Sequence, residues 1–192
     1  MHSLCVFCGS ATGTDPRFAD TARALGRACA ERGIAVVYGG ASVGLMGILA
    51  DAAIDAGGRV IGVLPHALAT REIGHARLTQ LELVDSMAER KQRMAELADA
   101  FVAIPGGIGT MDELFEVWTW EYLGVHEKPC AVLNVGGFYD HLLAWVQHAE
   151  GAGLVKPVQR AMLRVADTVA DLFTVLDQPA APHHRFPHTP EH

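Results

Sequence analysis

The sequence predicts an α/β fold, a three-layer α/β/α arrangement with one mainly parallel sheet between two layers of helices. Three observations predict it. Short apolar runs alternate with stretches of helical periodicity along most of the chain, the pattern of strands joined by crossover helices. Glycine-bearing turns follow three of those runs, at Gly9, Gly39-Gly40 and Gly106-Gly107, each where a strand gives way to a helix. The length of 192 residues suits one domain with a sizeable core. That domain is assigned residues 1–177, and residues 178–192, with four Pro and four His, read as a disordered tail.

Taken in order, residues 4–8 form the first strand and residues 9–14 a glycine-containing loop. Asp15-Pro16 starts a helix, with an apolar stripe at Phe18, Ala22, Leu25 and Cys29, and Gly33 ends it. Residues 34–38 are the second strand, residues 44–56 a helix stopped by Gly57-Gly58, and residues 59–64 the third strand. Residues 81–84 and 100–104 are strands on either side of a helix over residues 87–98. The segment 105–113 opens a helix that runs to Leu123, residues 130–135 form another strand, and helices over residues 139–149 and Val169–Leu176 complete the pattern. In a parallel sheet of this kind ligands sit beyond the carboxyl ends of the strands, so the three glycine turns converge on one edge.

Composition narrows the function. A net charge of −7 and a pI of about 5.7 argue against a polyanion such as DNA as partner, so any bound anion must be held locally. Arg71, Arg77, Arg90, Lys91 and Arg93 supply a local concentration of positive charge. Half of the residues are apolar, a surplus that a rich core or a subunit interface absorbs. Strand alternation sends Cys5 and Cys8 to opposite faces, and no second Cys or His pair completes a zinc site, so the four cysteines read as reduced core residues and no metal is expected. No basic leader precedes the first apolar run, and no apolar stretch approaches the ~20 residues that span a bilayer, so a cytoplasmic protein without a membrane partner is expected.

The chemistry concentrates in Pro105-Gly106-Gly107-Ile108-Gly109-Thr110-Met111-Asp112-Glu113. Glycines at a helix start let backbone N–H groups approach an anion, and the helix dipole favours its charge. The segment lacks the Lys-Ser/Thr of a Walker loop and the spacing of a dinucleotide fingerprint, so a short phosphate or a carboxylate is expected rather than a triphosphate. Thr110-x-x-Glu113 also matches a capping box, which leaves Glu113 either a cap or a functional carboxylate. Helical spacing puts Met111, Leu114, Phe115, Trp118 and Tyr122 on the core face and Glu113, Glu116 and Trp120 on the opposite one, facing solvent or a cleft closed by another subunit. Ser86-x-x-Glu89 is a second capping-box match. Arg90 shares a face with Met87, Met94 and Leu97, so its guanidinium needs an anionic partner, either in a structural ion pair or in a ligand. Lys91 flanks that face, within reach of an anion or solvated at the surface. Residues 38–47 repeat the strand, glycine turn and helix, and with Gly9-Ser10 they make a nucleotide-sized pocket plausible.

With these segments placed, the chain resembles the LOG ("lonely guy") family of cytokinin riboside 5′-monophosphate phosphoribohydrolases. The resemblance rests on Val6-Phe7-Cys8-Gly9-Ser10, Tyr38-Gly39-Gly40 with Gly44-Leu45-Met46-Gly47, Arg90-Lys91 and the 105–113 segment. Trp118-Thr119-Trp120, and Leu133-Asn134-Val135 with Gly137-Phe138-Tyr139, extend it over residues 4–176. It implies a Rossmann-like fold, hydrolysis of the N-glycosidic bond of an adenine-type nucleoside 5′-monophosphate to free base and ribose 5-phosphate, no cofactor, and a homodimer whose cleft borrows from both subunits. By motif, Arg90 and Glu113 correspond to the catalytic pair, and Gly106, Gly107, Gly109 and Thr110 to the phosphate loop. Lys91, Gly9, Ser10, Gly39, Gly40 and Met46 are further substrate-binding candidates, and Glu72 matches a substrate contact by its spacing ahead of Arg90. Ala41, Ala88 and Asp112 depart from the family pattern and bear on substrate preference. The family has also carried the label lysine decarboxylase, which the setting of Lys91, Lys128 and Lys156 does not favour. A broader purine nucleoside-monophosphate nucleosidase and a non-hydrolytic nucleotide or cofactor carrier are the remaining rivals.

Overall fold

The computed structural model describes residues 1–69 and 74–179. Its strands are β1 (Ser3–Phe7), β2 (Ala35–Tyr38), β3 (Val60–Pro65), β4 (Gln80–Val84), β5 (Ala100–Ala103), β6 (Cys130–Leu133) and β7 (Leu163–Ala166). The helices are α1 (Pro16–Glu31), α2 (Gly44–Asp55), α3 (His66–Ala69), α4 (Met87–Leu97), α5 (Ile108–Leu123), α6 (Asp140–Gly151), α7 (Pro157–Met162) and α8 (Val169–Leu176). The strands form one sheet in the order β4-β3-β2-β1-β5-β6-β7, and each neighbouring pair is parallel. The chain winds outward from β1 to β4, then returns to lay β5 against β1 and winds outward the other way. The direction therefore reverses between β1 and β5, the place where a doubly wound sheet opens a crevice.

Local chemistry explains where the helices begin. Asp15 caps α1 by accepting the Arg17 N–H at 2.9 Å, with Pro16 following at the first helical position. Ser86 caps α4 by accepting the Glu89 N–H at 3.1 Å, and the Glu89 carboxylate accepts the Asp85 N–H at 2.8 Å. The Ser86 half of the expected capping box thus forms, while the Glu89 carboxylate takes the N–H one residue ahead of the cap. Gly124, in the left-handed region at φ 74°, ends α5.

Alternation along β1 divides the interior. Leu4, Val6 and Cys8 join one core with α1, α2 and α8, whereas Cys5 and Phe7 join the other with α4, α5, α6 and α7. Cys5 and Cys8 thus lie in different cores, and all four cysteines are buried and unbridged.

Three elements go beyond the sequence reading: α3, α7 and β7. β7 is four residues at the sheet edge with Arg164 inside it, too short and too polar to stand out as an apolar run. There Arg164 donates to the Val175 and Leu176 carbonyls at 3.1 and 3.0 Å and caps the end of α8.

Glu121 lies fully buried on α5, beside the Cys130 thiol. Burial pushes its carboxyl from 4.5 up to about 7. Between those values the folded chain keeps a proton that the unfolded chain releases, so this stabilisation is present below pH 4.5 and is lost as pH rises through about 7. Glu121→Gln should therefore be more stable than the parent at pH 8, by about 3 kcal/mol, and should lose that advantage near pH 4.5. Denaturant melts at the two pH values test this, and an equal effect of the substitution at both would refute it.

Candidate active site

The loops after β1, β2 and β5 meet at the switch point and are tied together through their main chains. Gly9 donates its N–H to the Pro105 carbonyl at 3.2 Å, and Leu45, in the first turn of α2, donates to the Gly9 carbonyl at 3.0 Å. Gly44, at φ +59°, lies so close to the Ser10 backbone that a Cβ would overlap it. Glycine is required there on both counts. These contacts hold open a cleft of about 250 Å³.

One wall of the cleft is the start of α5. Gly107 is its N-cap and no side chain fills the cap position, nor does an acidic residue occupy the first turn. The N–H groups of a 16-residue helix therefore begin at the cleft without a protein partner from a cap. A Cβ added at Gly107 or Gly109 would meet nothing within 4 Å. Packing within this chain does not demand these two glycines; they border open space. Such an amide cradle suits a phosphate.

The same lining carries Arg90, from α4, and Glu113, from the second turn of α5, each only 8% exposed. Arg90 Nε donates to the Val63 carbonyl at 3.0 Å and Nη1 to Glu113 Oε1 at 3.2 Å. The guanidinium also rests on Gly39, where any Cβ would fall inside its van der Waals envelope. Burial pushes the Glu113 carboxyl up to about 7, against the pull of Arg90 and Lys91, with Asp112 and Glu116 adding to the rise. The Cys8 thiol in the same wall is raised by burial and by Glu113, so it stays protonated and is a poor nucleophile.

Two expectations about α5 are corrected here. The helix begins at Ile108, so Thr110 lies inside its first turn and no Thr110–Glu113 capping box forms; the Glu113 carboxylate reaches Arg90 instead. Nor does Glu113 share an outward face with Glu116 and Trp120. It is buried in line with Val117 and Glu121, while Glu116 and Trp120 line a groove of about 430 Å³ between α4 and α5. A helix pressed against both the sheet and a neighbouring helix buries a wider arc than one stripe, and Glu113 falls within it. Leu114 and Trp118 are buried as expected, with Met111, Phe115 and Tyr122 half-buried.

Of the residues singled out by sequence, the cleft brings together Arg90, Glu113, Gly107, Gly109 and Thr110. Gly9, Ser10, Gly39 and Met46 line it from the other loops. Gly106 and Gly40 are not in the lining: Gly106 packs under the Thr110 side chain, and the Gly40 carbonyl accepts the His75 N–H at 2.9 Å. Lys91 is not part of the lining. Its Nζ bridges Asp112 and Glu116 at 3.0 and 3.1 Å and braces α4 against α5. Glu72 lies outside the described residues. The cleft adds Cys8, Met87 and Asp112, which no motif singled out as cleft-lining. Among the described residues no group of three or more His, Cys, Asp or Glu is arranged to hold a metal, and no helix is long and apolar enough to cross a membrane.

Comparison with known proteins agrees with this arrangement. Residues 46–176 match the family model described as "Possible lysine decarboxylase". The chain is 44% identical to a cytokinin riboside 5′-monophosphate phosphoribohydrolase of Rhodococcoides fascians, over 92% of this chain and 90% of that protein. It is 45% identical to the enzyme of the same name, LOG, from Oryza sativa subsp. japonica, over 93% of this chain and 74% of that one. Among solved structures it resembles the X-ray structure of the structural-genomics target TM1055, with a TM-score of 0.70 and 25% identity over 93% of this chain and 99% of that one. The molybdenum cofactor carrier protein of Chlamydomonas reinhardtii shares the fold, with a TM-score of 0.68 and 22% identity over 92% of this chain and 96% of that one. By its sequence relatives, and by the motif residues gathered in this cleft, the chain belongs to the LOG family of cytokinin riboside 5′-monophosphate phosphoribohydrolases.

Proposed function

We propose that this protein hydrolyses the N-glycosidic bond of adenine-type nucleoside 5′-monophosphates, cytokinin riboside 5′-monophosphates and AMP among them, releasing the base and ribose 5-phosphate. The observation that carries the reading is the buried Arg90–Glu113 pair lining one cleft together with the uncapped, glycine-bearing start of α5. A phosphate held on the Gly107–Thr110 amides fixes the ribose over the pair. As the C1′–N bond breaks, its electrons leave with the base and C1′ gains oxocarbenium character. The Glu113 carboxylate stabilises that charge and takes a proton from the attacking water; the hydroxyl joins C1′ and the proton passes on to the base. Arg90 holds the carboxylate in place and favours its ionised form.

The lysine positions disfavour a pyridoxal-type decarboxylase. Lys91 is bridged to Asp112 and Glu116, Lys128 Nζ donates to the Ala95 carbonyl at 2.7 Å, and Lys156 lies over the Tyr122 ring at 5.7 Å. None of the three lines the cleft. We also assign the groove between α4 and α5 to contact with a second copy of the chain, because Trp120 lines it together with Val125, which is 68% exposed.

Incubation with AMP and with isopentenyladenosine monophosphate should release base and ribose 5-phosphate. Nucleotide binding without release from either would favour a carrier. Glu113→Gln should lower kcat by roughly 10²- to 10⁴-fold with binding intact. In the parent, activity should rise with pH as Glu113 loses its proton at about 7 and level off above, and removing the Arg90 charge should move that limb upward. A flat profile from pH 5 to 9 would remove Glu113 from the ionised role. Gly107→Val fills the open cradle, so phosphate affinity should fall about tenfold or more while the melting temperature holds; parental affinity would reject the phosphate assignment. In sedimentation the parent should run as a dimer and Trp120→Glu as a monomer; a monomeric parent would dismiss the interface.

A further inference from the structure

His75 has no role in the mechanism above, yet its imidazole is buried, with 6% of the side chain exposed, and bonded on both nitrogens. Nδ1 accepts the Arg77 N–H at 3.2 Å. With Nδ1 accepting, the ring proton lies on Nε2, which donates to Asp51 Oδ1 of α2 at 3.2 Å. Asp51 is engaged in turn by the Arg77 guanidinium, whose other arm reaches Asp55 at 2.8 Å. On the opposite side, the His75 N–H donates to the Gly40 carbonyl and Gly74 pairs with Ala41 in an antiparallel bridge. His75 thus joins α2 to the Gly39-Gly40 turn, the surface on which the Arg90 guanidinium rests.

We propose that His75 is a positioning residue for the Arg90–Glu113 pair. Its bond to Asp51, the buried contact beside the exposed Arg77 bridges, seats the stretch that carries Gly74 and His75 against α2, and that stretch clamps the Gly39-Gly40 turn next to Arg90. Arg90 makes its other contacts to Val63 and Glu113, so movement of this turn removes the backstop that fixes the guanidinium. The phosphate cradle is built from β5 and α5 and does not depend on the clamp. The clamp therefore acts on the chemical step and leaves substrate capture alone.

The kinetic readout rests on the hydrolytic reading above, so a second readout is independent of it. His75→Gln places an amide N–H near the Nε2 position and can still reach Asp51; His75→Asn keeps only the short acceptor towards Arg77. His75→Asn should lose roughly 10- to 100-fold in kcat, since small misplacement of reacting groups costs that much. KM and inorganic phosphate affinity should stay within about twofold of the parent. His75→Gln should recover most of kcat, Asp51→Ala, which also removes the Arg77 contact, should lose at least as much as the Asn variant, and the Asp51→Ala/His75→Asn double variant should lose little more than Asp51→Ala. Parental kcat in His75→Asn, equal loss in the Asn and Gln variants, or a matching loss of phosphate affinity would each overturn the proposal. The Arg90 Nε–H resonance, read by NMR without substrate, should change in the Asn variant and return in the Gln variant; an unchanged resonance also overturns it. If the parent releases no base but the resonance responds in this way, the hydrolytic reading fails and the clamp stands.

Discussion

The site is organised around one buried ion pair. Removing a guanidinium and a carboxylate from water costs several kcal/mol each, and their attraction offsets that cost only where geometry and further hydrogen bonds are good. Arg90 meets the condition through the Val63 carbonyl behind it and Glu113 in front. Glu113 meets it incompletely, with a carboxyl raised to about 7, the value the proposed mechanism calls for. A fully satisfied carboxylate would be a weak base; one at about 7 can take a proton at neutral pH and give it up again.

The pair dictates much of what surrounds it. Gly39 has no side chain because the guanidinium occupies that space, and β3 must present the Val63 carbonyl at the level of α4. The adjacent residues repeat the connection at the surface, where Lys91 holds Asp112 and Glu116. Helices α4 and α5 are therefore fixed to each other twice, once by the buried Arg90–Glu113 pair and once by a partly exposed bridge through Lys91.

Much of this was legible in the sequence, because the signals are local. Strand runs and glycine turns gave the layers and the edge on which the site lies, and an arginine among apolar neighbours announced a hidden anion. Features set by the third dimension were not legible. The capping box at Thr110 matched by spacing, but the helix starts at Ile108 and the match is void. The inward position of Glu113 follows from the sheet under α5 and from Arg90, which reaches the carboxylate from α4. His75 gave no signal because its partner, Asp51, is 24 positions away on another element. β7 was too short and too polar to register as a strand.

The bond from Gly9 to Pro105 joins two loops that are far apart in the chain, since β5 docks beside β1 only after β2, β3 and β4 have been laid down. During synthesis the first four strands emerge with one side of β1 unpaired, an open edge able to attract another chain. The cleft does not exist at that stage. Half of it waits for β5 and the start of α5, so the step that creates the site is the same one that pairs the open side of β1.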